Sequence, residues 1–171
     1  RLCRDWSSDV CSSDLKPKID IDSEWKMVEL GEFVVFTQTG IVKNKTEQSD
    51  ENEYFYLKMD GITYDGQLDL TKLVKVNVTM EEFEKYTLKK DDFMYNTRNT
   101  PDLVGKSTVF DNESGKYLFN NNIMRIRFNT ELNPYFANFI LNSDEYKKQI
   151  RSFYLFSSIS KNTFFSLFFS L

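Results

Sequence analysis

Between Tyr54 and Phe128 the chain is cut into short segments of alternating apolar and polar residues, separated by turn-forming Asp, Asn and Gly. Past Asn133-Pro134 the apolar spacing lengthens to that of a helix. The pattern predicts strands at Tyr54–Lys58, Leu73–Val78, Phe93–Thr97, Lys106–Phe110 and Asn122–Phe128, with Lys116–Phe119 following a turn at 112–115. The Asp60-Gly61 and Asp65-Gly66 pairs are expected to supply positive φ at turns. Met27, Leu30, Phe33 and Val34 predict a short helix within Trp25–Phe36. Thr79, followed by Glu81 and Glu82, predicts a capped helix start. Asn133 with Pro134 predicts another, its stripe formed by Phe136, Phe139 and Ile140. Ser143 predicts a third, with Tyr146, Ile150, Phe153 and Tyr154 on one side. Strands first and paired helices last is an α+β order.

The two ends stand apart from this pattern. Residues 1–15 are polar, lack any period and resemble a translated sequencing adapter, so they are set aside as a non-native scar. Residues 157–171 finish in an apolar run too interrupted to span a bilayer and are expected to be a disturbed or truncated tail. That leaves residues 16–156 as one domain. Sixteen Phe and nine Tyr supply ample core area. Both cysteines, Cys3 and Cys11, lie in the scar, which fits a reducing cytoplasm. Sequons at Asn44, Asn77 and Asn112 arise by chance in a chain this rich in Asn.

The chain contains no His, which removes Ser-His and Cys-His nucleophile systems. A paired-carboxylate site is weaker than its bland alternative, because Asp60, Asp91 and Asp92 sit at turns and strand starts. No cofactor or metal site is expected. Gly105-Lys106-Ser107-Thr108 resembles the end of a phosphate-binding loop, but Thr100 stands where that loop needs Gly, and a strand follows where it needs a helix. Asn133-Pro134-Tyr135-Phe136 resembles a methyltransferase tetrad lacking its second Pro, and a capped helix start explains it.

Recognition chemistry fits better. Net charge is −4, yet the charge is segregated. Asp22 to Glu84 holds 14 acidic and 6 basic residues, whereas Lys85 to Arg127 holds 8 basic and 5 acidic. Surface scatter and a nucleic-acid face on an acidic body explain this equally well. Arg98 and Asn99 follow a short apolar strand, and Arg and Asn read base edges through paired hydrogen bonds. Asn121 belongs to an Asn run that makes a turn or offers amides to bases. Arg125 and Arg127 alternate with Met124, Ile126 and Phe128. Both are expected to face outward, about 6.6–7 Å apart, a spacing suited to successive phosphates. A solvated strand face is the bland alternative. A different class, a carbohydrate-binding β module, would use exposed Tyr54, Tyr56 and Tyr64. A third is an interaction domain without DNA contact.

Leu30-Gly31-Glu32-Phe33, Thr39-Gly40, Tyr56-Leu57-Lys58-Met59-Asp60-Gly61-Ile62, Asp92 to Lys106 and Asn121-Asn122-Ile123-Met124-Arg125-Ile126 occur in a familiar order. Over about residues 22–156 the chain resembles the target recognition domain of the specificity subunit of type I restriction-modification systems. The resemblance implies a coiled mixed β-sheet, double-β-helix-like, followed by a C-terminal helical hairpin. It also implies non-catalytic, sequence-specific reading of half of a bipartite double-stranded DNA target. The implied partners are DNA methyltransferase (modification) subunits and a restriction motor-nuclease subunit, with no membrane. On that resemblance Arg98 and Asn99 read bases, Asn121 joins the DNA face, and Lys106, Arg125 and Arg127 hold phosphates. The chain departs from the family in carrying one recognition domain and no long spacer helix, while Ser157 to Asn162 only echo the family's polar segment. It therefore reads as a fragment.

Overall fold

A computed structural model of the chain describes residues 27–98, 105–113, 115–148, 150 and 168–170. Its strands are β1 (Met27–Glu29), β2 (Val34–Thr39), β3 (Tyr54–Leu57), β4 (Val74–Val76), β5 (Asp92–Asn96), β6 (Ser107–Phe110), β7 (Tyr117–Phe119), β8 (Ile123–Phe128) and β9 (Phe168–Ser170). Helix α1 spans Met80–Tyr86 and α2 spans Pro134–Leu141. The fold is α+β.

Four strands form an antiparallel sheet in the order β2-β8-β5-β6. A second sheet, β4-β3-β7, is mixed: β3 runs antiparallel to β4 and parallel to β7. β9 pairs antiparallel with β1, so three residues of the C-terminal apolar run enter a sheet.

Alternation along each strand fills three apolar layers. Phe93, Tyr95, Met124 and Ile126 face α2, meeting Ala137, Ile140 and Leu141. Their neighbours Met94 and Ile123 face the second sheet, packing on Leu57, Tyr117 and Phe119. The far side of that sheet, with Tyr56, Val76 and Leu118, adjoins Tyr86 of α1. The middle of the four-stranded sheet is therefore buried on both faces, and every residue of β5 and β6 is buried, while edge strand β2 keeps Val35, Phe36 and Thr39 exposed. Tyr56 donates its hydroxyl to the Ile41 carbonyl at 2.8 Å, and burial pushes its pKa up to about 12.

The helix starts match their sequence signals. Thr79 caps α1 in a reciprocal box with Glu82, which places two backbone donors on side-chain oxygens. Asn133 accepts from the Tyr135 and Phe136 amides above Pro134. Ser143 accepts from the Tyr146 amide where helical backbone resumes at Asp144.

Three local expectations are corrected. The helix expected within Trp25–Phe36 is a single 3-10 turn, Leu30–Phe33, between two strands. Its apolar spacing serves a strand–turn–strand corner that buries Leu30 and Phe33. Phe136 and Phe139 stand 41% and 49% exposed, because α2 turns Ala137, Ile140 and Leu141 to the sheet instead. Gly66 has φ +83, but Gly61 is absent from the positive-φ region and serves close packing against Leu57. Phe153 and Tyr154 lie outside the described residues.

The chain passes close against other backbone at Gly40, after β2. Its amide donates to the Ile123 carbonyl at 3.2 Å. A Cβ there would sit 2.1 Å from the Phe119 carbonyl oxygen and 2.5 Å from that of Asn120. Those oxygens belong to the β7–β8 connection and have little freedom to move. Gly40→Ala is expected to cost about 3 kcal/mol or more, the upper range for overpacking a rigid site. Urea unfolding reads it as a lower midpoint, and an unchanged midpoint contradicts this packing.

Candidate nucleic-acid interface

Five segments meet at one end of the two sheets. β5 leaves there and β6 returns, with the Asn96 amide donating to the Lys106 carbonyl at 2.9 Å. Thr97 donates both its amide and its hydroxyl to the Asn122 carbonyl at 2.9 Å. The Asn120 amide donates to the Leu57 carbonyl at 2.9 Å, which brings the turn before β8 against the end of β3. The 3-10 turn Met59–Gly61 follows directly. Lys72, at the end of another 3-10 turn, donates to the Asp60 carbonyl at 3.3 Å and pairs with Asp69 at 3.2 Å.

Arg98, Asp60 and Lys72 are exposed at this end, and Lys58, Asn121 and Asn122 are half-buried. Gly105 closes it at the mouth of β6. Its φ is +82, and a Cβ would lie 2.9 Å from Ile150 Cδ1, so a side chain is disfavoured both by conformation and by space.

The sequence-predicted residues divide between this end and the interior. Arg98 is exposed and Asn121 half-exposed, as a contacting role requires. Asn99 lies outside the described residues. Lys106 is only 8% exposed. Its ammonium donates to the Met59 carbonyl at 3.0 Å and the Ile62 carbonyl at 2.6 Å. Burial pulls its pKa down, partly opposed by Asp60.

Arg125 and Arg127 do share a face, but Arg125 does not point outward. It is 4% exposed, and its guanidinium donates to the Thr87 carbonyl at 2.7 Å, the Lys85 carbonyl at 3.1 Å and the Gln38 side chain. Lys85 and Thr87 end α1, where unpaired carbonyls favour a cation. The Phe36 and Phe119 rings flank the guanidinium, each centroid 5.4 Å away. Burial lowers the Arg125 pKa and Asp92 opposes the shift, while the guanidinium stays charged. Arg127 keeps a third of its side chain exposed and grips Asp92, Nε at 2.5 Å and Nη2 at 3.2 Å. The outward expectation fails for Arg125 because the second sheet and α1 cover the face presumed solvated.

Asp92 is the residue sequence reasoning undervalued. It is 1% exposed and takes Arg127, the Lys89 amide at 2.8 Å, and Arg125 Nη1 at 3.5 Å. Its partner was not readable from the strand pattern, because the β5–β8 register that brings Arg127 beside it is set by the fold. Lys58 and Lys72 were also missed; only their proximity to the β5 and β6 ends marks them. Tyr56, proposed with Tyr54 and Tyr64 for sugar stacking, is 2% exposed and is not available to such a platform, while Tyr54 and Tyr64 are half-buried. Ser107–Phe110 is a strand, which closes the phosphate-loop reading. Among the described residues no group of three or more His, Cys, Asp or Glu is placed to hold a metal ion. No helix among them is long and apolar enough to cross a membrane.

The family model for the type I restriction modification DNA specificity domain matches residues 22–170. The chain belongs to this family. It is 23% identical over 124 residues to a protein named as the type I restriction enzyme MjaX specificity subunit of Methanocaldococcus jannaschii. That match covers 71% of the chain and 28% of the relative. The fold is similar to the HsdS subunit from Thermoanaerobacter tengcongensis, with TM-score 0.59 and 16% identity over 89% of this chain and 34% of that one. It is also similar to the S subunit from M. genitalium, with TM-score 0.52 and 14% identity over 85% and 34%. The specificity-domain chain thus spans about a third of the length of these solved relatives.

The Asp92 cluster yields a stability prediction. Asp92→Ala leaves two guanidinium groups without their buried counter-charge and is expected to cost about 3–5 kcal/mol. The exposed pair Lys90–Glu113, at 2.8 Å, is the comparison, and Lys90→Ala should leave the urea midpoint nearly unchanged. Equal effects from the two variants are inconsistent with the buried cluster.

Proposed function

We propose that this domain reads one half of a bipartite double-stranded DNA target as part of a type I restriction-modification specificity subunit. The observation that carries it is the family match across residues 22–170, together with the loop-bearing sheet end where Arg98 and Asn121 are accessible. In this reading the domain is non-catalytic and works in the cytoplasm. It directs methyltransferase subunits and a motor-nuclease subunit, carried by the parts of the subunit beyond this domain. Residues 16–156 form the recognition unit in this reading, with 1–15 a scar, and β9 adds residues 168–170 to it beside β1. The two stacked sheets support a coiled, double-β-helix-like description. The helical backbone from Asp144 supports a hairpin with α2.

Arg98, Asn99 and Asn121 are the proposed base-side contacts. Arg127 is proposed at the margin, its exposed third available to a phosphate. The interior donors of Arg125 and Lys106 support scaffold roles in place of the phosphate contacts first assigned to them. Lys58 and Lys72 are proposed to supply phosphate contacts instead.

Arg98→Ala should relax sequence preference, whereas Lys58→Met should weaken every duplex about equally and lower the salt slope by roughly one contact. Fluorescence anisotropy on duplexes selected from a randomised pool, repeated across salt, measures both. A response that ignores salt argues against DNA as the ligand.

A further inference from the structure

One carbonyl at the sheet end receives donors from both sides of the β5–β6 connection. Asn96 Nδ2 reaches the Met59 oxygen at 3.2 Å from the end of β5. Lys106 Nζ reaches the same oxygen at 3.0 Å from the start of β6, and takes the Ile62 oxygen at 2.6 Å. The 3-10 turn Met59–Gly61 is thus clasped by the residues through which the chain leaves and re-enters the four-stranded sheet. Lys72 braces the same turn through the Asp60 carbonyl.

The chemistry of the clasp is unusual for a packing role. A buried ammonium held by neutral carbonyls is costly, and no carboxylate lies within ion-pair distance of it among the described residues. An apolar side chain of similar length fills such a site at lower cost. What an apolar residue cannot do is hold two carbonyls of a separate turn at fixed positions.

We infer that Lys106 is a positioning residue: with Asn96 it locks the Met59–Gly61 turn to the β5–β6 connection, making Arg98, Asp60 and Lys72 one preorganised reading edge. This deepens the DNA-reading function proposed above and rests on it. Asp60, exposed on the clasped turn, becomes part of the edge, and a carboxylate there accepts from a cytosine amino group. Preorganisation lowers the ordering cost of binding, and that gain is realised only on a duplex that fits the fixed edge. The clasp therefore acts on selectivity. A phosphate-contacting lysine would act on affinity for all duplexes.

The test uses the full 171-residue chain. Wild-type protein selects from duplexes with a randomised centre, and the enriched duplex and its scrambled version become the probes. Lys106→Met is expected to lower the enriched-to-scrambled affinity ratio about tenfold while leaving the slope of log affinity against log salt unchanged. A slope reduced by about 0.9, with the ratio intact, makes Lys106 a phosphate contact and overturns the inference while leaving the DNA-reading function standing. An unchanged ratio and slope overturn it equally. Should Lys106→Met fail to melt cooperatively, Asn96→Ser, which removes the other side of the clasp without changing charge, is held to the same outcomes. Wild-type protein that enriches no duplex overturns the proposed function and this inference together.

Discussion

The carboxylate of Asp92 is the constraint around which the four-stranded sheet and the end of α1 are assembled. It lies between a β-sheet and the elements that cover that sheet, and two guanidinium groups converge on it. Buried charges of this kind tolerate few arrangements. Arg127 fixes β8 against the start of β5, and the Lys89 amide fixes the chain entering β5. Arg125 carries the constraint further, because its Nη donors reach the carbonyls ending α1 and Gln38 of β2. One carboxylate thereby ties β2, β5, β8 and the end of α1 into a single arrangement, where apolar packing alone would permit sliding between layers.

The same logic recurs with different chemistry at the opposite end of β5. There the fixed points are carbonyls, and the groups that seize them are Asn96 and Lys106. The sheet between these two polar cores is apolar on both faces, with Phe93, Met94 and Tyr95 all fully buried. A rigid strand clamped at both ends is a suitable support for an exposed residue just past its tip, which is where Arg98 stands. Sites carried on rigid elements hold their geometry better than sites on free loops.

Much of this was legible in the residues, and the failures at Arg125 and Lys106 share a cause. Strand positions could be read because apolar alternation survives single-sequence inspection, and helix starts because Thr79, Asn133 and Ser143 cap through local hydrogen bonds. Side-chain direction relative to solvent could not be read for β8. Alternation assigns Arg125 and Arg127 to one face, but it does not say whether that face is wet. The parallel pairing of β3 with β7, which builds the covering sheet, joins segments far apart in the chain. Lys106 illustrates the same gap: a Gly-Lys after a polar loop invites a phosphate, and only the position of the Met59–Gly61 turn shows its donors already taken. Phe136 and Phe139 fail for a geometric reason, since an eight-residue helix with apolar side chains on most sides does not specify which face meets the sheet.

These internal commitments reconcile an acidic chain with a DNA-reading function. Arg125 and Lys106 are occupied inside, Lys147 lies buried with its ammonium on the Tyr64 carbonyl, and Lys43, Lys90 and Lys116 each meet a glutamate. Few cations at the sheet end remain to replace counterions, and each phosphate contact contributes roughly 0.9 to the salt slope. On the proposed reading, a domain so furnished contributes discrimination more than affinity. Its selectivity comes from the shape and chemistry of one clasped edge. A recognition element built this way gains from weak intrinsic binding, because a strongly cationic domain would grip every duplex and blur the difference between target and non-target.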